Sequence, residues 1–308
     1  MSAPEERTLE EWDAALRGSE AGMVPLCLQM PHIPEARLAA LLICAENETP
    51  PPPILLYEIG SAYAERLAGD HASNMEKAVS SLTRAWDGVR ADSQAPPEAV
   101  FEIGTEYAIA LGSDPKGGEE CLARSLTVLD ALLEVVEGNG EDEVMVHNNK
   151  GTLLVQHGKY EEAGEAYAAA LGKVDRDSSP ESWGWIANAQ AEARLELWLS
   201  GENESLFQLA MDGFQSALDV LDESVAPAEV AQVEFNIGRA LSTKLERSTH
   251  GSTDPVADDD TADDDGNDSA TLLERALAAL DHAILIRTRD DIADDPQPAI
   301  DLATKLRS

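Results

Sequence analysis

The chain of 308 residues carries a net charge of −37 at neutral pH, with 59 Asp and Glu against 22 Lys and Arg. A field of this sign repels nucleic acid and anionic lipid, so we exclude nucleic-acid binding and membrane docking as expected functions. The 43% hydrophobic content is enough for a buried core, although only 5% of the residues are aromatic. Ala and Leu supply most of the apolar residues, and both favour helices.

Negative charge is spread along the whole chain. The stretch between residues 254 and 268 holds eight Asp, but most of the 59 acidic residues lie outside it. Seven Lys stand against fifteen Arg. A salt-rich cytoplasm would account for this composition, and so would a basic partner. The composition leaves both explanations open.

The sequence is typical of a cytoplasmic protein. Residues 1–12 are acidic and lack the basic and apolar regions of a signal peptide. The longest apolar run, residues 38–45, is far shorter than the ~18 residues that a membrane span needs. Cys27, Cys44 and Cys121 lie far apart, and we interpret them as reduced thiols.

The first elements precede a run of prolines. Residues 7–46 predict two or three helices, and Pro50 to Pro53 then break the helical pattern. We interpret residues 1–50 as an N-terminal helical cap, because the end of a repeat array must cover an apolar face.

A segment of helical character then recurs five times, with a small residue at an equivalent point each time. These residues are Gly60, Gly104, Gly151, Ala189 and Gly238. A side chain at this point would clash where the first helix of each unit approaches its partner. In the third unit Gly158 falls in the turn between the helices, where a positive φ favours glycine.

A second amphipathic segment follows each of these helices. In four of the five units it places alanines four residues before and three residues after a large side chain. The triplets are Ala78–Leu82–Ala85, Ala163–Tyr167–Ala170, Ala210–Phe214–Ala217 and Ala276–Leu280–Ala283. Residues seven apart share one helix face, so the alanines let two helices close and the large side chain fills the gap. The second unit, around Cys121 and Ser125, does not match this pattern.

These positions resemble the tetratricopeptide repeat (TPR). The segment HNNKGTLLVQHGKYEEAGEAYAAAL, residues 147–171, is similar to one whole unit of the ~34-residue repeat. The other units have longer turns and resemble a stretched variant, as SPESWGWIANAQAEARL illustrates. The resemblance covers about residues 51–287. It implies an all-α, right-handed superhelical solenoid of about five helix-turn-helix repeats with helical caps, and a function in protein binding.

The repeat array is expected to occupy residues 51–308. Residues 248–270 interrupt its fifth hairpin, and their Asp-rich composition predicts disorder. The segment from Asp294 onward predicts a C-terminal capping helix.

The resemblance also implies a binding surface, because the first helices of such repeats line the concave side of the stack. With the small residue of each unit counted as position 8, positions 5 and 6 face inward, together with positions 9 and 13. The partner-binding residues expected from this count are Tyr57, Glu58, Phe101, Glu102, Asn148, Asn149, Ile186, Arg194, Phe235, Asn236 and Arg239. Asn offers a donor and an acceptor to an extended peptide. Packing of the position-5 side chains against neighbouring hairpins accounts for the same pattern equally well.

No motif indicates catalysis, a cofactor or a metal site. An EF-hand register on the Asp run would place Thr261 and Leu272 at the anchoring positions, where carboxylates are required. The histidines show no paired-ligand spacing. We interpret Trp183 and Trp185 as hairpin packing rather than a cofactor stack.

The sequence therefore predicts a non-catalytic scaffold or adaptor that holds a peptide or helix of a protein partner in its concave groove. The acidic composition favours a partner with apolar anchors and basic flanks. Arg194 and Arg239 are too few for capture of a terminal carboxylate. Two alternatives stay open: a chaperone for an aggregation-prone client, and a regulatory module for a separately encoded effector such as a CHAT-type peptidase.

The explanation by a salt-rich habitat predicts that the fold depends on salt. Mutual repulsion within a chain of charge −37 should then reduce helicity at low ionic strength, and added salt should restore it. Circular dichroism at 222 nm across a salt titration measures this. Constant helicity over the whole titration would contradict the hypothesis.

Overall fold

The computed structural model describes residues 7–18, 23–29, 33–201, 203–250, 269–289, 292 and 295–308. All regular secondary structure in these ranges is α-helical, in fourteen helices. The helices are α1 Leu9–Arg17, α2 Met23–Leu28, α3 Pro34–Glu46, α4 Pro53–Ala64, α5 His71–Ala91, α6 Pro97–Gly112, α7 Gly118–Val135, α8 Gly140–Gln156, α9 Tyr160–Leu171, α10 Pro180–Ser200, α11 Glu204–Leu218, α12 Pro227–His250, α13 Ser269–Arg289 and α14 Gln297–Arg307. None of them is long and apolar enough to cross a bilayer.

The chain forms two compact units, Met1–His157 and Gly158–Ser308. The first unit holds α1 to α8 and the second holds α9 to α14. The boundary falls in the turn of the third predicted hairpin, so its first helix belongs to one unit and its second helix to the other. The division of the sequence at residue 50 stays a prediction. Nearly all of the predicted acidic insertion, residues 251–268, lies outside the described residues.

In the first unit, helices that are consecutive in sequence pack against each other. Helices α1 and α2 pack on α3, which packs on α4. From α4 to α8 each helix then packs on the next, and α6 also contacts both α4 and α8. This pattern, in which a first helix meets its own partner and the next first helix, is that of TPR-like helical hairpins.

The second unit repeats this arrangement. Each helix from α9 to α14 packs on the next one, and α10 also contacts α12. The hairpins are α10 with α11 and α12 with α13. The C-terminal helix α14 lies against α13 and, to a smaller extent, α12. The all-α fold class predicted from the sequence is confirmed.

Local sequence signals start the helices. Four first helices begin with proline, at Pro53, Pro97, Pro180 and Pro227. Proline suits the first position because its fixed φ matches the helix and its missing N–H would have no partner there. The second helix α5 begins after Asp70, whose side chain accepts a hydrogen bond from the backbone N–H of Ser73.

In the first and fifth repeats, close approach of the paired helices depends on glycine in the first helix, as predicted. A Cβ added to Gly60 would lie 2.4 Å from Cγ of Leu82 on α5, and one added to Gly238 would lie 2.6 Å from Cγ of Leu280 on α13. Both distances are too short for a real contact, so a side chain would separate the helices. Gly158 has a φ of +70°, which confirms its predicted role in a turn.

The alternation of small and large residues on the second helices is also confirmed. All eight alanines of the four triplets are fully buried, and so are the large side chains between them apart from a small fraction of Tyr167. In the second repeat, which departs from the pattern, Ser125 is the buried small residue and its Oγ donates to the carbonyl of Ala108 at 2.6 Å. A fully buried leucine, Leu132, stands where the other repeats have their second alanine.

The register predicted for the fourth repeat is wrong by two residues. Ala189, the predicted contact point, is only partly buried, whereas Ala191 is fully buried. A Cβ added to Gly213 on α11 would lie 2.8 Å from Cβ of Ala191. The helices α10 and α11 therefore cross at Ala191, and every inward position on α10 moves by two residues.

We predict that Gly60→Ala lowers the free energy of unfolding by about 1–2 kcal/mol, because the new methyl group would overlap the fully buried Leu82. Urea denaturation followed by circular dichroism measures the change. The matched control is Gly164→Ala on α9, where a Cβ would meet no atom within 4 Å. This control should instead stabilise the protein by up to about 1 kcal/mol through helix propensity. Equal effects of the two changes would contradict the role assigned to Gly60.

Candidate functional site

The predicted partner-binding residues lie on first helices in both compact units. Those from Tyr57 to Asn149 belong to the first unit, on α4, α6 and α8. Those from Ile186 to Arg239 belong to the second unit, on α10 and α12. The two sets are therefore two candidate surfaces.

In the first unit, Tyr57 links two first helices. Its hydroxyl donates a hydrogen bond to Oε1 of Glu102 at 3.0 Å. Burial, followed by the hydrogen bond and charge of Glu102, raises the pKa of Tyr57 to about 12. The phenol therefore keeps its proton at neutral pH and holds α4 and α6 together at this face.

Two aromatic rings on the first helices of the first unit pack against its core and are also partly exposed. Tyr57 and Phe101 are half-buried and pack against the hydrophobic core of the first unit. Glu58 is also half-buried, and its carboxylate forms an ion pair with Arg37 on α3. This carboxylate is therefore already neutralised by the chain itself.

The two asparagines on α8 are half-buried. The Oδ1 atom of Asn148 is buried and accepts no hydrogen bond within the described part of the chain. A buried carbonyl without a donor is destabilising, so this atom favours a ligand that can donate to it.

Glu106 on α6 is a feature of this face that the position count did not include. It lies one turn beyond Glu102, and burial, followed by the charge of Glu65, raises its pKa. The face between α4 and α6 thus carries the exposed carboxylate of Glu102 and the half-buried carboxylate of Glu106. A partner would meet hydrogen-bond acceptors and negative charge there.

In the second unit, two predicted contact residues are buried by the chain itself. Ile186 is 2% exposed and Asn236 is 1% exposed. The prediction that they contact a partner is corrected, because neither offers surface to one. For Ile186 the cause is the two-residue shift of register on α10.

Asn236 belongs to a chain of hydrogen-bonded side chains. Arg287 Nη2 donates to Oε1 of Gln232 at 2.8 Å, and Gln232 Nε2 donates to Oδ1 of Asn236 at 3.3 Å. Asn236 Nδ2 then donates to Oδ1 of Asn188 at 3.1 Å. With Ala191 at position 8, Asn188 occupies position 5 and bonds position 6 of the next first helix, as Tyr57 does with Glu102.

The spacing of the repeats in the sequence indicates that Ala191, and not Ala189, is the contact residue of α10. The interval from Ala191 to Gly238 is 47 residues, the same as the interval from Gly104 to Gly151. Counting from Ala191 would have identified Asn188 as the inward residue at position 5.

Arg239 is held by two carboxylates of α10. Its Nη1 lies 2.7 Å from Oε1 of Glu196, and its Nη2 lies 3.2 Å from Oε1 of Glu192. Burial raises the pKa of Glu192, and Arg239 opposes this increase. The predicted use of Arg239 for a partner is therefore weakened, since its charge is neutralised internally.

Arg194 lies on the other side of α10. Residues two apart on a helix differ by about 200° in direction, so Arg194 points away from Glu192 and Glu196. Its Nη1 approaches α11, where it is 3.7 Å from the Cβ position of Gly213. Burial lowers the pKa of Arg194. Its predicted place beside Arg239 on one inward face is therefore corrected.

Phe235 is half-buried and packs in a cluster with Leu280, Ala299 and Ala303, where α13 and α14 meet α12. The guanidinium of Arg287 lies 5.4 Å from the centre of its ring. For this position-5 residue, packing within the chain accounts for much of the ring surface. The assignment to partner binding stays a prediction.

A pocket opens between α10 and α12 in the second unit. Its volume is about 160 Å³, and its walls include Trp185, Asn188, Glu229 and Gln232. The indole of Trp185 is 46% exposed, so its interpretation as a packing residue is incomplete. Trp183, by contrast, is half-buried and packs against the core of the second unit.

The fold resembles that of a protein of known structure. The crystal structure of BtubC (BKLC) from P. vanneervenii matches this chain with a TM-score of 0.52 at 15% sequence identity, covering 94% of this chain and 95% of that chain. At this identity the likeness shows the fold alone, an all-α TPR-like helical repeat. No protein-family model matches the sequence. No curated protein matches it either.

We predict that Arg239→Ala destabilises the protein by about 1–3 kcal/mol at pH 7, because two carboxylates on α10 lose their charged donor. The pKa of Glu192 is already above its ordinary value of 4.5, and loss of Arg239 raises it further. A carboxylate whose pKa is higher in the folded state than in the unfolded state destabilises the fold at pH values above its folded-state pKa. At pH values below its unfolded-state pKa this destabilisation is absent. The destabilisation should therefore shrink as the pH falls toward 4.5.

Urea denaturation of both proteins between pH 4.5 and pH 7 measures this dependence. Arg17→Ala is the matched control, since Arg17 also bridges two carboxylates but lies on the surface. Its loss should destabilise the protein far less than the loss of Arg239, because exposed ion pairs contribute little to stability. A pH-independent effect of Arg239→Ala would contradict the electrostatic explanation.

Proposed function

We propose that the protein is a non-catalytic scaffold or adaptor that binds a protein partner through its first helices. The observation that carries this proposal is the exposed indole of Trp185 beside the pocket between α10 and α12. A large aromatic side chain that lines a concave site is typical of the anchor points in protein interfaces.

The face between α4 and α6 supports the proposal independently. There the half-buried ring of Tyr57 lies near the carboxylates of Glu102 and Glu106, and α6 also carries the half-buried ring of Phe101. Apolar surface surrounded by acceptors suits a partner segment with apolar anchors and donor groups. Asn148 and Asn149 on α8 extend the polar part of the surface available to a partner.

Charge supports the same class of partner. The net charge of −37 attracts basic segments and increases their rate of association. We therefore propose a partner whose apolar anchors are flanked by Lys or Arg.

The fold also favours binding over catalysis. Stacked helical hairpins present extended surfaces to other chains, and function in such folds resides in those surfaces. The pocket described above does not combine a nucleophile with a general base. We therefore propose no reaction and no cofactor for this chain.

The two alternatives drawn from the sequence remain predictions. A chaperone would suppress aggregation of a client protein at equal stoichiometry, which light scattering detects. A regulatory module for a CHAT-type peptidase would change the activity of a separately encoded enzyme.

The scaffold function predicts that protein capture depends on the first-helix surfaces. Trp185→Ala and Phe101→Ala should each reduce the recovery of specific proteins from a lysate of the source organism, measured by affinity capture and quantitative mass spectrometry. The control is Leu209→Ala on α11, because Leu209 is as exposed as Trp185, at 46%, but lies on a second helix. Circular dichroism checks that each variant is folded. If all variants capture the same proteins as the parent chain, the proposed surfaces are wrong.

A further inference from the structure

We propose that the pocket between α10 and α12 receives a lysine or arginine side chain of the protein partner. The inference rests on the proposed scaffold function and specifies its chemistry at one site. Three groups in the pocket carry the inference: the indole of Trp185, the carboxylate of Glu229 and the amide of Asn188.

Trp185 supplies an aromatic surface for a cation. Its side chain lines the pocket and is 46% exposed, so a ligand can reach the ring. The electron-rich face of an indole attracts ammonium and guanidinium groups more strongly than the other aromatic side chains do. None of the described residues that line this pocket is Lys or Arg, so we infer that its cation comes from a partner.

Glu229 supplies a negative charge that no described residue pairs with. It lies in the first turn of α12, is half-buried, and forms no hydrogen bond or ion pair with the residues that the structure describes. Three other carboxylates on α10 and α12 have partners: Glu192 and Glu196 pair with Arg239, and Glu234 contacts His282. Glu229 is therefore available to an incoming cation.

Asn188 supplies a fixed hydrogen-bond donor. Its side chain is 7% exposed and lines the pocket, and its Oδ1 already accepts from Asn236. No described residue accepts a hydrogen bond from its Nδ2. This NH₂ group can donate to a backbone carbonyl next to the basic residue of the partner.

The direction of this donor is set by Arg287. A guanidinium can only donate, so Oε1 of Gln232 must face Arg287 and its NH₂ group must face Asn236. The NH₂ group of Asn236 must then face Oδ1 of Asn188. The chain of amides therefore leaves a donor, and not an acceptor, at its end in the pocket.

The size and walls of the pocket fit the stem of a basic side chain. Its volume of about 160 Å³ is similar to that of an engineered protein cavity, about 150 Å³, which holds benzene. Leu221 and Val233 form an apolar part of the wall. The methylene groups of Lys or Arg can cover this wall while the charged end lies near Glu229. An acidic side chain would instead be repelled by Glu229.

The test is a titration of the full ¹⁵N-labelled protein with Nα-acetyl-lysine methylamide, followed through the indole N–H resonances. Trp185→Phe assigns the resonance of Trp185. We expect the lysine derivative to shift this resonance in a saturable manner. The uncharged norleucine derivative and the glutamate derivative should produce no saturable shift at the same concentrations.

Glu229→Gln should weaken the binding of the lysine derivative about tenfold, as expected for loss of one charged hydrogen-bonding partner. The control is Glu98→Gln, which removes the same charge from the first turn of α6 in the other compact unit and does not line the pocket. Equal weakening by both variants would show that only the net charge matters, and would overturn the proposal. Equal binding of the norleucine derivative, or no shift of Trp185 by the lysine derivative, would also overturn it.

The outcome for the pocket can be separated from that for the scaffold function. Protein capture that survives Trp185→Ala but fails with Phe101→Ala would retain the scaffold and reject the pocket as its site. Specific lysine binding at Trp185 without any protein capture would retain the pocket and reject the scaffold.

Discussion

The close approach of paired helices at one small residue is the constraint on which the rest of the structure depends. At Gly60 and Gly238 the space for a Cβ is occupied by a leucine of the second helix, and at the α10–α11 crossing Ala191 meets Gly213. This contact fixes the rotation of the first helix about its own axis. It therefore decides which side chains are buried in the hairpin and which point away from it.

The position of this contact can be located in the sequence when the small residue is glycine, but not when it is alanine. Gly60, Gly104 and Gly238 stand out because glycine is unfavourable inside a helix unless close packing requires it. On α10 alanine occurs at 187, 189, 191 and 193, and all four fit a helix equally well. Choosing the wrong one rotated the predicted face by two residues, so Asn188 was missed and Ile186 was assigned to a partner.

The burial of individual side chains was less predictable from the sequence than the fold. The alternation of alanine and large residues is a pattern within one helix, and the burial of these residues was predicted correctly for four repeats. The burial of Asn236 depends instead on Asn188 of the preceding hairpin and Gln232 one turn away. A pattern read along one helix carries no information about a side chain from another repeat, so Asn236 was assigned to the surface.

One geometry supports different chemistry in the two units. In each, position 5 of a first helix bonds position 6 of the next, through Tyr57 and Glu102 in one unit and Asn188 and Asn236 in the other. The phenol has a single proton, which the bond to Glu102 occupies, so this end of the first face offers mainly acceptors. The amide of Asn188 accepts from Asn236 and still has an NH₂ group to donate. Because the same backbone arrangement yields an acceptor surface in one unit and a directed donor in the other, the two faces differ in their hydrogen-bonding chemistry without any change of fold.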